Sequence, residues 1–228
     1  TLIRVTTSIF GFNDTLRAIL LALGAVSVVV GALAALGQTD FKRMLAYSSI
    51  SQVGYIILGF ATGTPLGIVG AVFHIFNHSI FKSLLFVNAS AIETRLGTND
   101  MNRMGGLSAK MPYTGTTSLV GMLSAAGMPP LAGFWSKIII IIALWQSGNH
   151  AYCVIATLAG VLTLAYLLAM QKKVFFGKLR EGLEDVREAN KEIVIASVML
   201  AAITIGVGLF FPAVFYTFVE PVKGLLIK

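Results

Sequence analysis

Four titratable side chains lie inside apolar segments of this sequence, where charged residues are rare. His74, His78 and Lys82 are spaced by four residues, so an α-helix would place all three along one face. Lys137 is followed directly by five consecutive isoleucines. Ionisable groups in such segments are, by default, candidates for moving ions or protons. These residues therefore favour a relay in which buried amines and imidazoles alternate between protonation states.

The sequence just before the second lysine predicts a helix that breaks inside the membrane. The apolar run 111–145 is much longer than the roughly 20 residues that a helix needs to cross a bilayer. Pro129 and Pro130 each remove a backbone donor, and Gly127 and Gly133 lower the cost of irregular dihedrals. Backbone N–H and C=O groups that lose their helical partners at that depth are tolerated only where protein or water covers them. In transporters, such broken helices mark ion sites.

Packing alone is the alternative explanation for the buried charges. A lone histidine in an apolar run is usually a satisfied interior residue, and a lone lysine can extend its amine to the interface. Lys82, however, lies about nine residues from the end of its segment, too deep to reach the interface comfortably at 1.5 Å per residue. Three titratable groups in register are therefore interpreted as functional.

Polar side chains near these groups are candidates for lining a water path. They either bind neighbouring helices or hold water, and the sequence leaves both interpretations open. The candidates are Ser48, Ser49, Ser51, Gln52 and Ser136.

No metal site or cofactor is expected in this chain. Two histidines without a cysteine or an inward carboxylate supply too few ligands for zinc. The single Cys153 cannot form a disulfide or a cluster with another cysteine of this chain. The sequence contains no phosphate-binding glycine loop, nucleophile elbow or metalloprotease motif. Any electrons handled nearby would belong to a partner.

Composition predicts an all-α, polytopic transmembrane helical bundle with one broken helix. Hydrophobic residues make up 56% of the chain and charged residues only 12%. Hydropathy predicts six spans, at about 16–37, 44–62, 66–91, 112–146, 151–171 and 193–217. We divide the chain into a tail of a preceding helix (1–15), a five-helix repeat (16–171), a cytoplasmic loop (172–192), and a final span with an outside tail (193–228).

The basic residues predict the orientation of a multi-pass protein in the cytoplasmic or inner membrane. Eleven of them fall on one side of the predicted spans, against only Arg4, Arg17, Lys223 and Lys228 on the other. Such an excess marks the cytoplasmic side, so both ends of the chain are expected to face outward. The residues lie in short loops around the lipid bilayer and form no single patch, so we expect no nucleic acid partner. The mixed-charge part of 172–192 is expected to form a helix along the cytoplasmic face.

Three segments together resemble a known family. They are Asp40–Tyr55, Phe73–Phe86 and Gly127–Lys137, and their order and content are similar to motifs of the antiporter-like proton-channel subunits. These subunits occur in respiratory complex I, in group 4 membrane-bound hydrogenases including formate hydrogenlyase, and in Mrp sodium/proton antiporters. The resemblance does not separate these branches.

The resemblance implies a fold, partners and roles. The family has fourteen core helices in two inverted five-helix repeats, and this chain resembles helices nine to fourteen. We therefore expect a C-terminal part or one half of a split subunit, with the N-terminal repeat and other membrane subunits as partners. Lys137 resembles the lysine of the second broken helix, where some members carry glutamate. Lys82, His78 and His74 resemble the central hydrophilic axis.

The expected function is proton translocation by a redox-inert subunit of a redox-driven complex. Sodium remains open as a second ion, although neither mid-membrane lysine can coordinate a cation. The first alternative is a subunit of an Mrp-type cation/proton antiporter. The second is a membrane scaffold whose buried charges only fix helix packing.

Overall fold

The computed structural model describes residues 13–219, and over that range the chain is a helical bundle. The described ranges contain no β-strand beyond a single bridge between Asp40 and Asp100. The main helices are α1 (Asp14–Leu36), α2 (Phe41–Ala61), α3 (Pro65–Leu96), α4 (Pro112–Ala126), α5 (Ala132–Gln146), α6 (His150–Val174) and α7 (Lys191–Leu209). The expected N-terminal tail up to residue 12, with Arg4, and the C-terminal residues Lys223 and Lys228 lie outside the described residues.

These helices confirm the predicted fold class. Five of them, α1, α2, α3, α6 and α7, are long and apolar enough to cross a membrane. The predicted span 112–146 consists of two helices of 15 residues each, α4 and α5. The last predicted span, 193–217, is interrupted at Phe210: α7 ends at Leu209, and a short helix, Phe211–Val214, and a π-helical segment, Phe215–Val219, follow it.

Local signals in the sequence place the ends of the helices. Asn13, Asp40 and Thr64 cap α1, α2 and α3, each side chain accepting a hydrogen bond from a backbone N–H of the first turn. Gly97 ends α3 with a φ of +68°, a conformation that glycine adopts without a steric penalty. Helix α3 then lies at the centre of the bundle, in contact with α2, α4, α5 and α7.

Three connections form one end of the bundle, which we call the loop face: residues 37–40, 97–111 and 175–190. They are joined by backbone hydrogen bonds, such as Phe41 N to Asn99 O (2.9 Å) and Ser108 N to Phe175 O (3.1 Å). The eleven basic residues assigned to one side of the membrane lie in or beside these connections. They are Lys42, Arg43, Arg95, Arg103, Lys110, Lys172, Lys173, Lys178, Arg180, Arg187 and Lys191.

The expected helix along this face is wrong. Residues 175–190 are described, and they form turns and extended chain instead of a helix. Gly177 and Gly182 adopt φ values of +88° and +83°, which interrupt a right-handed helix. The segment instead delivers Glu188 to the start of α4, where its carboxylate accepts hydrogen bonds from Tyr113 N (2.8 Å) and Thr114 Oγ1 (2.6 Å).

Candidate functional site

The break between α4 and α5 lies where the glycines and prolines predict it. Helix α4 ends at Gly127, whose φ is +84°, and Met128 N donates to Leu123 O (2.9 Å) to close the terminus. A Cβ atom on Gly133 would lie 1.9 Å from the carbonyl oxygen of Ser124, so only glycine fits at this crossing. The backbone N of Gly133 donates to Ser124 Oγ (3.2 Å), which ties the two half-helices together.

The broken end of α4 binds the ammonium of Lys137. In an uninterrupted helix the carbonyl of Ala125 would accept from the N–H of residue 129, but Pro129 has no N–H. Lys137 Nζ donates to this carbonyl instead, at 2.7 Å. The side chain is 5% exposed, and Nζ also lies 4.8 Å from the centre of the Tyr55 ring. The break thus provides the partner that a buried amine needs.

The second lysine binds a different helix in the same way. Lys82, on α3, is 6% exposed, and its Nζ donates to the carbonyl oxygen of Leu45 on α2 (2.8 Å). It also contacts Ser48 Oγ, which itself donates to Leu45 O (3.0 Å). A carbonyl and a hydroxyl therefore hold this amine at the loop-face half of α2.

His74 lies between the two lysine sites and is hydrogen-bonded to a residue near each. Its Nδ1 forms a hydrogen bond with Ser136 Oγ (2.8 Å), and its Nε2 forms one with Gln52 Oε1 (3.2 Å). The ring is fully buried. Ser136 is the residue before Lys137, and Gln52 lies one helical turn beyond Ser48, the partner of Lys82.

We call this series the polar chain: Lys82, Ser48, Gln52, His74, Ser136 and Lys137. His78 lies beside it, one turn from His74 and from Lys82 on α3. Its Nε2 is buried and has no hydrogen-bond partner among the described residues. Four further atoms in or near the polar chain share that property, and they are Ser51 Oγ, Gln52 Nε2, Asn77 Oδ1 and the Tyr166 hydroxyl.

These unpartnered atoms support hydration of the polar chain. Buried polar groups are nearly always hydrogen-bonded, either to protein or to ordered water, because leaving one unpaired costs about 1–3 kcal/mol. A cavity of about 220 Å³ reaches Lys137 and Gly127 between α5 and α6, which is room for several water molecules. Direct side-chain bonds are therefore present at this site, and the unpartnered atoms fit the hydration that the sequence left as the alternative.

Within residues 13–219, no carboxylate forms an ion pair with either buried ammonium. Among the described residues the ion pairs lie at the loop face, between Lys42 and Glu93 (2.5 Å) and between Arg103 and Asp100 (3.8 Å). The lysines of the polar chain contact only carbonyl, hydroxyl and ring groups. A carbonyl accepts a hydrogen bond from an ammonium or from a neutral amine, so each site can hold its lysine in either protonation state.

Two predicted lining residues stand outside the polar chain. Ser49 is half-buried, and its hydroxyl donates to Leu45 O of its own helix (3.1 Å). Ser51 belongs to the face of α2 that packs on α1, where a Cβ on Gly31 would lie 2.5 Å from its backbone N. Ser49 and Ser51 were predicted to line the path only because they are close to Ser48 and Gln52 in the sequence.

The contacts of other residues of the site were not predicted from the sequence. Tyr55 covers Lys137, and its hydroxyl donates to Ala156 O on α6 (2.5 Å). Asn77 Nδ2 donates to Ala132 O at the start of α5 (3.0 Å), and Ser124 holds Gly133. Tyr55 and Asn77 lie inside the recognisable motifs, but their roles depend on contacts between helices that the sequence does not show.

Comparison with known proteins agrees with this architecture. A family model described as "NADH:quinone oxidoreductase/Mrp antiporter, TM" matches residues 1–163. The chain is 40% identical over 187 residues to F(420)H(2) dehydrogenase subunit M of Methanosarcina mazei, covering 82% of this chain and 38% of that protein. It is 36% identical over 198 residues to a Na(+)/H(+) antiporter protein of Alkalihalophilus pseudofirmus, covering 87% of this chain and 40% of that protein.

A solved structure of a related membrane complex also has this helical architecture. A chain of the membrane-bound sulfane sulfur reductase, an archaeal respiratory membrane complex, superposes with a TM-score of 0.82 at 36% identity. The match covers 86% of this chain and 32% of that one. This chain therefore spans well under half the length of these relatives.

Proposed function

Because the chain belongs to the NADH:quinone oxidoreductase/Mrp antiporter transmembrane family, we propose that it carries one proton path of a redox-driven membrane complex. The hydrogen bond from Lys137 to Ala125 O is the observation that carries this proposal. It holds a titratable amine at mid-membrane, at a carbonyl that the helix break has freed. An apolar side chain would fill the same space without such a partner.

Protons would cross the site along the polar chain. An imidazole releases a proton from one ring nitrogen as it accepts another proton at the second, and both nitrogens of His74 are hydrogen-bonded along this direction. Water would bridge the two intervals that have no direct hydrogen bond, between Gln52 and Ser48 and between Ser136 and Lys137. The two ammonium groups repel one another in a medium of low dielectric constant, so a proton arriving at one favours release from the other.

The partners would supply the driving reaction. We propose that other membrane subunits, including the part of the family fold that this chain does not span, complete the path across the membrane. We also propose that the chain itself binds no cofactor and that electron transfer takes place in a partner subunit. The similarity to a subunit of F(420)H(2) dehydrogenase, a protein named for a dehydrogenase reaction, supports a redox-driven complex.

A cation/proton antiporter is the second candidate. The similarity to the Na(+)/H(+) antiporter protein of Alkalihalophilus pseudofirmus, at 36% identity, supports it about as well. The carboxylates Asp40, Glu93 and Asp100 lie at the loop face and away from both lysines, so the polar chain itself favours protons over sodium.

Purification of the assembled complex distinguishes the two candidates. Proton uptake would be measured in vesicles, first with an electron donor and acceptor and then with an imposed sodium gradient. Electron-driven uptake and co-purifying iron–sulfur proteins support the redox-driven complex. Uptake driven only by sodium, with small membrane proteins as the sole partners, would favour the antiporter.

A further inference from the structure

A second cavity, of about 120 Å³, opens at the loop face between α1, α2 and α6. Gln38 and Lys173 line it at its mouth, close to the ends of α1 and α6. Its wall is otherwise apolar and includes Met44 and Met170. The volume is sufficient for several water molecules. This cavity is separate from the one beside Lys137, because the two share no lining residue.

Tyr166 lies at the inner end of this cavity. It precedes Lys173 by seven residues, which is a depth of about 10 Å along α6 at 1.5 Å per residue. The side chain is 2% exposed, and its hydroxyl faces Thr163, Ser48 and Gln52 without the geometry of a regular hydrogen bond to any described residue. Ser48 and Gln52 of the polar chain lie beside that hydroxyl. An unpartnered hydroxyl thus separates the cavity from the partner of Lys82.

We propose that this cavity is the aqueous entrance to Lys82 and that Tyr166 is the positioning residue at its inner end. The Tyr166 hydroxyl holds the last water molecule of the cavity against Ser48. A proton then passes from that water toward Lys82, and the tyrosine neither gains nor loses charge. This inference rests on the proposed proton path and adds the side from which Lys82 is supplied.

The apolar wall defines the competing explanation. Cavities lined by methionine, alanine and leucine can remain dry, and Tyr166 would then be an unpaired packing residue. Hydration is therefore the first property to test, independently of transport.

Accessibility of a cysteine measures hydration directly. In assembled complex whose Cys153 is replaced by alanine, Met44→Cys would be compared with Met122→Cys. Both methionines are buried in the same hydrophobic cluster, but Met122 does not line the cavity. A small, membrane-impermeant, cationic thiosulfonate added on the side of the loop face should label Met44→Cys and leave Met122→Cys unlabelled. Equal resistance of both would show a dry cavity and overturn the entrance.

Removal of the tyrosine hydroxyl tests the positioning role. Tyr166→Phe should lower proton translocation up to about tenfold, in line with the loss of one hydrogen bond to the positioned water. It should also raise the ratio of rates in H₂O and D₂O, whereas Tyr152→Phe, near the other end of α6, should change neither. Labelling of Met44→Cys should persist in the Tyr166→Phe background, showing that the cavity is intact.

The outcomes separate this inference from the proposed function. If Tyr166→Phe keeps the wild-type rate and isotope ratio while replacement of Lys82 by methionine stops translocation, the entrance through Tyr166 is wrong and the proton path stands. If the Lys82 variant also translocates normally, the proposed function itself fails.

Discussion

Lys137 Nζ donates to the carbonyl oxygen of Ala125 at 2.7 Å, across the gap between two half-helices. The carbonyl is free because residue 129, its regular helical partner, is a proline. The prolines and the lysine therefore act together. Pro129 leaves the carbonyl oxygen of Ala125 without its helical donor, and Lys137 donates to that oxygen.

Gly127 should be required for the position of Lys137. A Cβ at this residue would lie 3.0 Å from Lys137 Cδ, and the φ of +84° strains any other residue. Gly127→Ala should therefore reduce proton translocation in vesicles and cost roughly 1–2 kcal/mol of stability. Gly148→Ala is the matched control, because its φ is +76° and its Cβ would meet nothing within 4 Å. Equal loss of transport in both variants would assign the effect to backbone strain alone.

Two neighbouring serines should differ in their effect on transport. Ser48 contacts the ammonium of Lys82, whereas Ser49 donates only to Leu45 O within its own helix. We expect Ser48→Ala to slow proton translocation severalfold and Ser49→Ala to leave it unchanged, with both complexes assembled. If the two alanine variants transport alike, Ser48 has no part in the path.

The sequence predicted the break because proline and glycine act locally. Removal of a backbone donor at Pro129 and Pro130 and positive φ at Gly127 are properties of single residues, so they can be identified without the fold. The spacing of His74, His78 and Lys82 likewise follows from helical periodicity. The order of the three motifs along the sequence then indicated the resemblance to the family.

The contacts between helices could not be predicted in this way. Nothing in the sequence pairs Lys137 with Ala125, or places Tyr166 beside Ser48, because such pairs depend on how the helices cross and rotate. The segment 175–190 was predicted as a helix from its mixed charge, but Gly177 and Gly182 favour turns. Its interaction with α4 through Glu188 is also a long-range contact.

Glu188 should stabilise the start of α4. Its carboxylate accepts from Tyr113 N (2.8 Å) and Thr114 Oγ1 (2.6 Å), at the positive end of the helix. Glu188→Ala should lower the free energy of unfolding by about 1–2 kcal/mol. Thermal unfolding of the solubilised complex would measure this loss, with the exposed Glu184→Ala as control. An unchanged melting temperature for Glu188→Ala would exclude the capping role.

The loop face should lie on the cytoplasmic side. The excess of lysine and arginine at this end predicts it. In a Cys153→Ala background, Glu184→Cys should resist an impermeant thiol reagent applied outside intact cells, and His150→Cys at the opposite end should react. The reverse pattern would invert the orientation and, with it, the side of the Tyr166 cavity.

Charge and volume at residue 137 can be separated by three substitutions. Lys137→Arg should retain only part of the activity, because guanidinium keeps its proton. Lys137→Glu should leave measurable translocation, since a carboxyl group also titrates. Lys137→Met keeps the length of the side chain and removes the titratable group, and burial of a thioether costs less than burial of an ammonium, so folding should be preserved.

Proton translocation by the Lys137→Met complex, at matched assembly, tests the account most directly. Vesicle acidification would be recorded beside a blot for the co-purifying subunits. We expect the rate to fall below about a tenth of the wild-type rate, in line with the loss of a proton-transfer group, while assembly stays unchanged. Translocation at the wild-type rate by a fully assembled Lys137→Met complex would show that the lysine at the helix break is a packing residue and is not in the proton path.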